Sequence, residues 1–337
     1  MQPSVTFPLS ASNELKKFAA MKKSMFLLLV LGLLAPVLSF GQKEQTKTFK
    51  GIKTIKMSNG SGSCRFVKSP DATVTVKLQY TYDEGDVENT MEQEGDRLVI
   101  REKYHANNVR GTSNWTLSIP DGTSVRYNTG SGSVEVENLK ADINATSGSG
   151  DIRITNVSGT FTGNTGSGDL ELSGYKGELN INVGSGSASI ENSEGDLDIN
   201  CGSGNIRINQ SKAAFSLNTG SGNIKGNAVS LAGSSKFNSG SGDATITLAA
   251  APQHDIMVNS GSGDAELNFN GNAIAGEITM EASKRYGNIR APFEFDKTEE
   301  ISRGNDDNIT VRKTAIKGKA TNKIKVGTGS GDAVLRQ

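Results

Sequence analysis

Four aspartates are the candidates for metal ligands in this sequence, because each directly follows a Gly-Ser-Gly triplet that recurs along the chain. They are Asp151, Asp169, Asp243 and Asp264. Hard cations such as Ca²⁺ bind clustered carboxylate and carbonyl oxygens, so stacked triplets would bring these side chains together in pairs. The same side chains can instead accept hydrogen bonds from backbone N–H groups at a turn. Because the calcium signature of β-rolls, GGxGxDxUx in consecutive nonapeptides, does not occur here, we expect the turn role and assign no metal, with calcium as the alternative.

Acidic side chains that could serve carbohydrate chemistry are spread along predicted strands. The outward-facing candidates are Glu135, Glu137, Glu171 and Glu191. Glycoside hydrolysis needs two carboxylates that converge on one bond, whereas these alternate with Asn, Ser and Arg as on a solvated sheet face. His105 and His254 lie in polar stretches without a neighbouring Ser or Cys partner. We therefore expect no catalytic residue and no enzyme activity, with a carbohydrate-active enzyme on a β-helix as an alternative.

The composition argues against several classes of protein. The chain has 337 residues, with 36 Lys and Arg against 36 Asp and Glu, 2 His and 2 Cys. Balanced charge is unlike a nucleic-acid-binding domain, and so few His and Cys leave little material for a zinc site. No cofactor is predicted. Cys64 and Cys201 lie far apart in the repeat described next, so we expect two free thiols rather than a disulfide, which needs Cα atoms within about 7 Å.

The elements that position these residues come from an internal repeat. Gly-Ser-Gly triplets recur every 18 residues from Gly130 to Gly220 and continue at longer intervals. A fixed short period of this kind is the signature of a solenoid in which each unit forms one coil. A tight corner needs a positive φ, which glycine adopts without a Cβ penalty, so we predict structural turns at the triplets. The predicted turn glycines are Gly130, Gly148, Gly166, Gly184, Gly202, Gly220, Gly240 and Gly261.

Apolar residues alternate with polar ones on both sides of each triplet. In one unit Ile143 and Ala145 precede the triplet, and Ile152 and Ile154 follow it. A period of two indicates β-strands with one face in the core and one in solvent. Parallel pairing between coils with right-handed crossovers is the default for such strands. The sequence therefore predicts an all-β protein, a right-handed parallel β-helix (β-solenoid) with coils of about 18 residues and irregular N- and C-terminal capping strands.

The N-terminal segment is typical of a secretory signal peptide. Lys22 and Lys23 precede the apolar run Met25 to Leu38, and cleavage is predicted after Gly41. The run is shorter than the ~20 apolar residues of a membrane span, so no integral membrane domain is expected after cleavage. Residues 1–41 are predicted to be an upstream extension plus signal peptide, with the signal itself at 21–41. The mature chain is predicted to contain an N-terminal strand and cap region over 42–128, the regular Gly-Ser-Gly solenoid over 129–270, and C-terminal irregular coils and cap over 271–337.

The two flanks carry their own strand patterns. Residues 73–82 and the stretch around Trp115 alternate as strands whose aromatics belong to the core. The polar stretch Asp83 to Glu94 is predicted to be a loop, as is the charged stretch near Asp296 to Asp307. Strands are also predicted over 277–281 and 308–312. Irregular end pieces are expected because a solenoid exposes unpaired strand edges at its two ends.

Three motifs carry a resemblance to a known family: Ile119-Pro120-Asp121-Gly122, then Thr129-Gly130-Ser131-Gly132, then Ser147-Gly148-Ser149-Gly150-Asp151-Ile152. Over roughly residues 48 to 337 the chain resembles the bacterial "putative adhesin" family of unknown function. It is also similar to the related head-domain family of autotransporter adhesins. The resemblance implies an exported β-helix of the cell envelope or cell surface, and it transfers no catalytic residue.

We therefore expect an exported, non-catalytic cell-envelope or surface β-solenoid that acts as an adhesin or binding scaffold. Its expected location is the periplasm, the cell surface or the medium. Its partner would be an envelope or surface protein, a glycan, or a second copy of the chain, and not a nucleic acid. A periplasmic envelope-stress or scaffold protein is the alternative within the non-catalytic class.

Overall fold

All regular structure in the described part of the chain is β-strand. The computed structural model describes residues 42–106, 108–302, 309–319 and 321–337, so the predicted extension and signal peptide lie outside it. Residues Lys43–Gln337 form one compact unit. In the described ranges no helix has the length and apolar content of a membrane span. The all-β, solenoid-like architecture expected from the repeat is confirmed.

The strands, in chain order, are β1 (Lys43–Lys50), β2 (Thr54–Asn59), β3 (Ser63–Lys68), β4 (Thr73–Tyr80), β5 (Val87–Glu94), β6 (Arg97–Tyr104), β7 (Ser113–Ile119), β8 (Ser124–Thr129), β9 (Val134–Glu137), β10 (Asp142–Ser147), β11 (Ile152–Thr155), β12 (Ser158–Thr165), β13 (Leu170–Ser173), β14 (Lys176–Val183), β15 (Ala188–Glu191), β16 (Glu194–Cys201), β17 (Ile206–Asn209), β18 (Lys212–Thr219), β19 (Ile224–Leu231), β20 (Ser235–Ser239), β21 (Ala244–Leu248), β22 (Ile256–Ser260), β23 (Ala265–Asn268), β24 (Gly276–Ser283), β25 (Ile289–Arg290), β26 (Lys297–Ser302), β27 (Ile309–Lys317), β28 (Lys323–Thr328) and β29 (Ala333–Arg336).

The strands of the regular repeat stack into two parallel sheets, one on each side of the Gly-Ser-Gly triplet. Sheet A contains β9, β11, β13, β15, β17, β19, β21, β23 and β29. Sheet B contains β8, β10, β12, β14, β16, β18, β20, β22 and β28. It is extended by β2 and β6 at its N-terminal end and by β24, β27 and β26 at its C-terminal end. Register partners are equivalent residues of successive repeats: Ile152 pairs with Leu170 in sheet A, and Ile143 pairs with Phe161 in sheet B.

The inward side chains form continuous apolar columns between the two sheets. Ile152, Leu170 and Ile206 occupy the same column position in sheet A, and each is at most 1% exposed. In sheet B, Phe215 lies in the column of Leu197 and Phe237 in the neighbouring column of Leu217, with ring centroids 5.6 Å apart. Because identical positions lie over one another, a few apolar residues per repeat build one core along the solenoid, as the lean hydrophobic content of 34% requires.

The triplet glycines are needed for a different reason from the predicted one. None of the eight predicted turn glycines has a positive φ, so the expectation of a left-handed corner there is wrong. The constraint is close approach between coils: a Cβ added to Gly168 would lie under 3.0 Å from the carbonyl oxygen of Gly150. Gly166 faces the carbonyl oxygen of Gly148 in the same way. Glycine therefore lets the backbones of successive coils touch.

The left-handed corner of each coil lies at another position, which sequence reasoning missed. Six residues at intervals of 18 have φ between 48° and 66°: Asn138, Asn156, Gly174, Asn192, Gln210 and Ala228. Asparagine and glycine tolerate this region better than other residues, so the recurring Asn was the available signal. Gln210 and Ala228 occupy the same conformation at a steric cost.

Antiparallel strands cover the two ends of the parallel stack. At the N-terminal end β4 pairs with β1 and β7, and β5 pairs with β6. At the C-terminal end β27 pairs with β24 and β26. The predicted strand at 73–82 corresponds to β4, and the one at 277–281 lies within β24. Of the strand predicted at 308–312, the described residues 309–312 lie in β27, and Trp115 is buried as predicted.

Two predicted loops are wrong. The stretch from Asp83 to Glu94 contains β5, because Val87 and Met91 are buried against the core while its many polar residues face outward. The stretch from Asp296 to Asp307 contains β26, which pairs with β27 through residues 297–302. Positions 303–308 lie outside the described residues. In both stretches the high polar content led to a loop prediction, although each contains a strand with one face in solvent.

We predict that Gly168→Ala destabilises the fold by about 2 kcal/mol or more, because the new methyl group collides with the Gly150 backbone and must displace a coil. Chemical denaturation followed by circular dichroism measures this. Gly85→Ala is the matched control, since nothing lies within 4 Å of a Cβ at Gly85 and its φ is not positive. Equal stabilities of the two variants would contradict the close-approach explanation.

We also predict that Ala228→Gly stabilises the protein by roughly 0.5–1 kcal/mol. A left-handed alanine costs about 1–2 kcal/mol, and the extra unfolded-state entropy of glycine offsets part of the gain. Ala214→Gly, in strand β18 where φ is not positive, is the control and should destabilise by a similar amount. A loss of stability in Ala228→Gly would show that the corner is not strained.

Candidate functional site

The aspartates proposed as calcium ligands belong to a hydrogen-bonded column along the triplet corner. The Oδ1 atom of Asp151 accepts the backbone N–H of Asp169 at 3.0 Å, and that of Asp169 accepts the N–H of Ser187 at 2.8 Å. Further along, the Oδ1 atoms of Asp243 and Asp264 accept the N–H groups of the next column members at 2.9 and 2.7 Å. One oxygen of each candidate is thus engaged in joining coils.

Asparagine and serine serve the same purpose in this aspartate column where aspartate is missing. Asn205 Oδ1 accepts the N–H of Asn223 at 2.8 Å, and Ser187 Oγ accepts the N–H of Asn205 at 3.2 Å. Across the described ranges no three His, Cys, Asp or Glu side chains lie together in a metal-binding arrangement. The geometry of the column is that of a coil-to-coil linkage in which charge is not required.

A second column of hydroxyl side chains lies just before the triplets and is buried. Thr165 is representative: its Oγ1 donates to the carbonyl of Gly150 at 2.8 Å and accepts the N–H of Gly168 at 3.1 Å. The hydroxyl therefore joins two successive coils and satisfies a backbone group in each. Ser147, Thr219 and Thr328 repeat the pattern.

Both cysteines are buried and unpaired, as expected. Cys201 occupies one position of the hydroxyl column, and burial raises the pKa of its thiol to about 11. Cys64 contacts Met57, with 3.7 Å between Sγ and Sδ, and burial raises its thiol pKa well above the ordinary value. A reactive cysteine needs an accessible thiolate, so these two side chains act as small apolar residues.

The glutamates considered for catalysis lie on the outer face of sheet A, where several acids pair with arginines of neighbouring strands. Glu137 contacts Arg65 at 2.6 Å, and Glu171 contacts Arg153 at 3.1 Å. Glu135 on β9 and Glu191 on β15 lie in the same sheet with other strands between them. The structure does not bring the four carboxylates together at one point.

The two histidines are also far from a catalytic arrangement. His105 Nε2 lies 3.2 Å from Glu88 Oε2 with both side chains exposed. His254 is exposed in the turn before β22.

The outer face of sheet B has a different character. An asparagine ladder runs along its triplet-side edge, formed by Asn164, Asn182, Asn200, Asn218, Asn238 and Asn259. Each amide donates to the oxygen of the preceding one, at 2.9 to 3.3 Å. The ladder holds this edge regular and leaves the middle of the face to side chains of other types.

One groove on this face, the C-terminal groove, has a volume of about 650 Å³ and is lined in part by Lys236, Met257, Thr279, Arg312 and Lys325. Residues of β20 and of β26 both line it, although β22, β28, β24 and β27 lie between those strands in the sheet. The C-terminal end of sheet B must therefore curl around its own outer face. The antiparallel hairpin of β26 and β27 forms the far wall.

One carboxylate, that of Glu281, holds two cationic side chains of the C-terminal groove in place. Glu281 is 11% exposed at its side chain, and its oxygens lie 2.6 Å from Arg312 Nε and 3.2 Å from Lys325 Nζ. Burial raises the pKa of Glu281, but hydrogen bonds from Arg312 and Lys325 outweigh it and hold the pKa below the ordinary value of 4.5. Both cations are therefore held in place with the carboxylate charged at neutral pH.

Charge changes sign along the outer face of sheet B. Lys56, Arg97 and Arg126 lie in a second groove of about 480 Å³ near the N-terminal end, the N-terminal groove. Glu178, Asp196 and Asp198 line a smaller depression in the middle. The C-terminal groove is lined by charges of both signs. Such a banded face can attract charged ligands by long-range electrostatics.

Comparison with known proteins identifies a family. The family model described as Toastrack DUF4097 matches residues 52–257 and 213–336. No curated protein matches the chain.

Three solved structures are similar at low identity. A putative cell adhesion protein from Clostridium sporogenes is 16% identical, covering 88% of this chain and 99% of that chain, with a TM-score of 0.24. A putative lipid binding protein from Parabacteroides distasonis is 16% identical, covering 89% and 98%, with a TM-score of 0.42. A putative adhesin from Bacteroides fragilis is 12% identical, covering 88% and 97%, with a TM-score of 0.32.

We predict that Glu281→Gln destabilises the protein by about 2 kcal/mol at pH 7, because Arg312 and Lys325 lose a charged hydrogen-bond partner that is shielded from water. The folded-state pKa of Glu281 is lowered, so its contribution is present above about pH 4.5 and disappears as the pH falls through the folded-state value. Denaturation of both proteins between pH 3 and pH 7 measures the difference.

Glu300→Gln is the matched control, because Glu300 pairs with Lys284 where both side chains are 51% exposed. Its cost should stay within about 1 kcal/mol. A stability difference between Glu281→Gln and the unmodified protein that grows on acidification would contradict the assignment of the ion pairs.

Proposed function

The chain belongs to the Toastrack DUF4097 family, and from that membership we propose that it is an exported, non-catalytic β-solenoid of the cell envelope or cell surface that works as an adhesin-type binding scaffold. The ligand is bound on the outer face of sheet B. The observation that carries the proposal is the C-terminal groove of about 650 Å³, in which residues of the capping strand β26 face residues of β20 across an open space.

The groove has the properties of a recognition site. Ligand pockets in proteins typically measure about 300–1,000 Å³ and combine apolar surface with a few placed polar groups. Met257 and Thr279 supply uncharged surface here, and Lys236 lies at the margin. Because Glu281 holds Arg312 and Lys325, two of the polar groups are positioned before any ligand arrives. Such preorganisation lowers the entropy cost of binding.

The proposal that the protein is non-catalytic is supported by how the candidate groups are used. The aspartate column accepts backbone N–H groups, and Glu137 and Glu171 pair with arginines. Both thiols are buried with raised pKa values. Acid–base or nucleophilic catalysis needs such groups to converge at an accessible point.

The proposal of export is supported by the signal-peptide features of residues 21–41, with cleavage after Gly41. A right-handed parallel winding with coils of about 18 residues is proposed for the solenoid. Register partners separated by 18 residues and the strong preference for right-handed crossovers support it.

Surface exposure is the first test. Intact bacteria that express the gene are treated with a protease, and the chain is followed by immunoblot together with a periplasmic marker. We expect the chain to be cleaved while the marker stays intact, and the mature protein to begin at Gln42 by N-terminal sequencing. Protection of the chain to the same extent as the marker, or retention of residues 21–41, would overturn surface exposure or cleavage respectively.

Adherence is the second test, made with cells that carry the gene or lack it. Thr279→Trp fills the C-terminal groove and should reduce adherence to the level of cells without the gene, because the ligand no longer fits. Thr245→Trp places the same side chain on the outer face of sheet A and should leave adherence unchanged. Equal adherence with and without the gene would remove the adhesin proposal.

A further inference from the structure

The N-terminal groove differs from the C-terminal groove in its charge. It crosses five adjacent strands of sheet B: β6, β2, β8, β10 and β12. Its charged lining residues are Lys56, Arg97, Arg126 and Asp142, three cations against one acid. Asp142 is already engaged, because its Oδ1 accepts the backbone N–H of Thr160 at 3.1 Å. The groove therefore presents a net positive surface.

The three cations are neighbours by strand register. Lys56 on β2 pairs directly with Arg126 on β8, and Arg97 on β6 pairs with Thr54, two residues before Lys56. Adjacent strands are ~4.8 Å apart, so the charged heads can converge on one small ligand group. Like charges directly opposite each other on a sheet are destabilising. The pairing of Lys56 with Arg126 therefore costs folding energy.

On sheet A, by contrast, an arginine can lie between two acidic partners. There, Arg153 is in contact with Asp151 at 2.8 Å and with Glu171 at 3.1 Å. Within the described ranges Lys56, Arg97 and Arg126 form no ion pair, and all three are exposed. Glu94, which pairs with Arg97 across β5 and β6, is the nearest acid in register and does not line the groove. The cations are open to an external anion.

The rest of the lining suits sugar hydroxyls. Ser124, Asn144 and Thr162 add hydroxyl and amide groups to the same groove. The lining contains no aromatic residue, so binding by ring stacking is not available and neutral sugars gain little. Charge and hydrogen bonding are the forces that this groove can offer.

We propose that the N-terminal groove binds an acidic glycan, a chain of sugars whose carboxylate or phosphate groups pair with Lys56, Arg97 and Arg126 while its hydroxyls bond to Ser124, Asn144 and Thr162. This inference rests on the proposed function as a binding scaffold and adds to it a second site with its own ligand class. The groove crosses five strands that lie ~4.8 Å apart, so it has room for a chain of several sugars.

The experiment uses the mature chain and a tetramer of galacturonic acid as the probe, followed by isothermal titration and by chemical shifts of the groove amides. We expect saturable binding that weakens as salt rises from 50 to 300 mM, because exposed charges are screened. Maltotetraose, which is uncharged, should bind at least about tenfold more weakly, because it lacks the carboxylates that pair with the three exposed cations, each pair contributing up to about 1 kcal/mol.

The double variant Lys56→Gln with Arg126→Gln should lose at least about tenfold in affinity for the uronate tetramer. The matched control is Arg207→Gln with Lys225→Gln, which removes two exposed register-paired cations from β17 and β19 of sheet A. The control should stay within about twofold of the unmodified protein, since both doubles change the net charge equally. Melting temperatures of both variants confirm that each is folded.

Three outcomes would overturn the inference: no binding of the tetramer, equal loss in both double variants, or equal binding of maltotetraose. Binding to phosphatidylglycerol vesicles that depends on Lys56 and Arg126, without binding of the tetramer, would replace the glycan by a lipid headgroup. None of these results changes the outcome of the adherence test, which depends on Thr279 and the C-terminal groove. A failure of the glycan proposal and a failure of the proposed function can therefore be told apart.

Discussion

The structure depends on contact between the backbones of successive coils at the Gly-Ser-Gly corner. At Gly168 the carbonyl oxygen of Gly150 occupies the space that a Cβ would need, and the same holds along the other triplets. This contact sets each coil directly over the previous one. Once the offset between coils is set, Ile152 must lie over Leu170. The apolar columns form because each equivalent residue is stacked in the same way.

The same offset also gives the polar groups at the corners their hydrogen-bond partners. The buried hydroxyl of Thr165 donates to a carbonyl of the previous coil and accepts an N–H of its own coil. These two backbone groups recur at the same position relative to the hydroxyl in each coil. The aspartate column and the asparagine ladder use the exposed side of the corner in the same way. Polar residues that look functional in sequence are thereby joined to neighbouring coils. Aspartate, asparagine and serine substitute for one another in the aspartate column because accepting one N–H is sufficient.

The two grooves form where the regular stack stops. The C-terminal groove exists because β24 and β27 add antiparallel strands and sheet B curls around its outer face. The N-terminal groove lies where β6 joins the first parallel strands. Within the regular part, the acids and arginines of sheet A pair from strand to strand. The ends of the stack therefore carry both the caps that protect the strand edges and the two grooves.

The sequence by itself determined the repeat, the strands, the inward and outward faces and the two free thiols, because a strict period imposes the same environment on each equivalent position. It misplaced the left-handed corner, which lies at Asn138 and its equivalents, since the triplet glycines serve close approach rather than φ. It also missed β5 and β26, whose polar composition hides half-buried strands. The two grooves could only be decided by tertiary structure. Lys56, Arg97 and Arg126 are far apart along the chain, and only the pairing of β2 with both β6 and β8 brings them together.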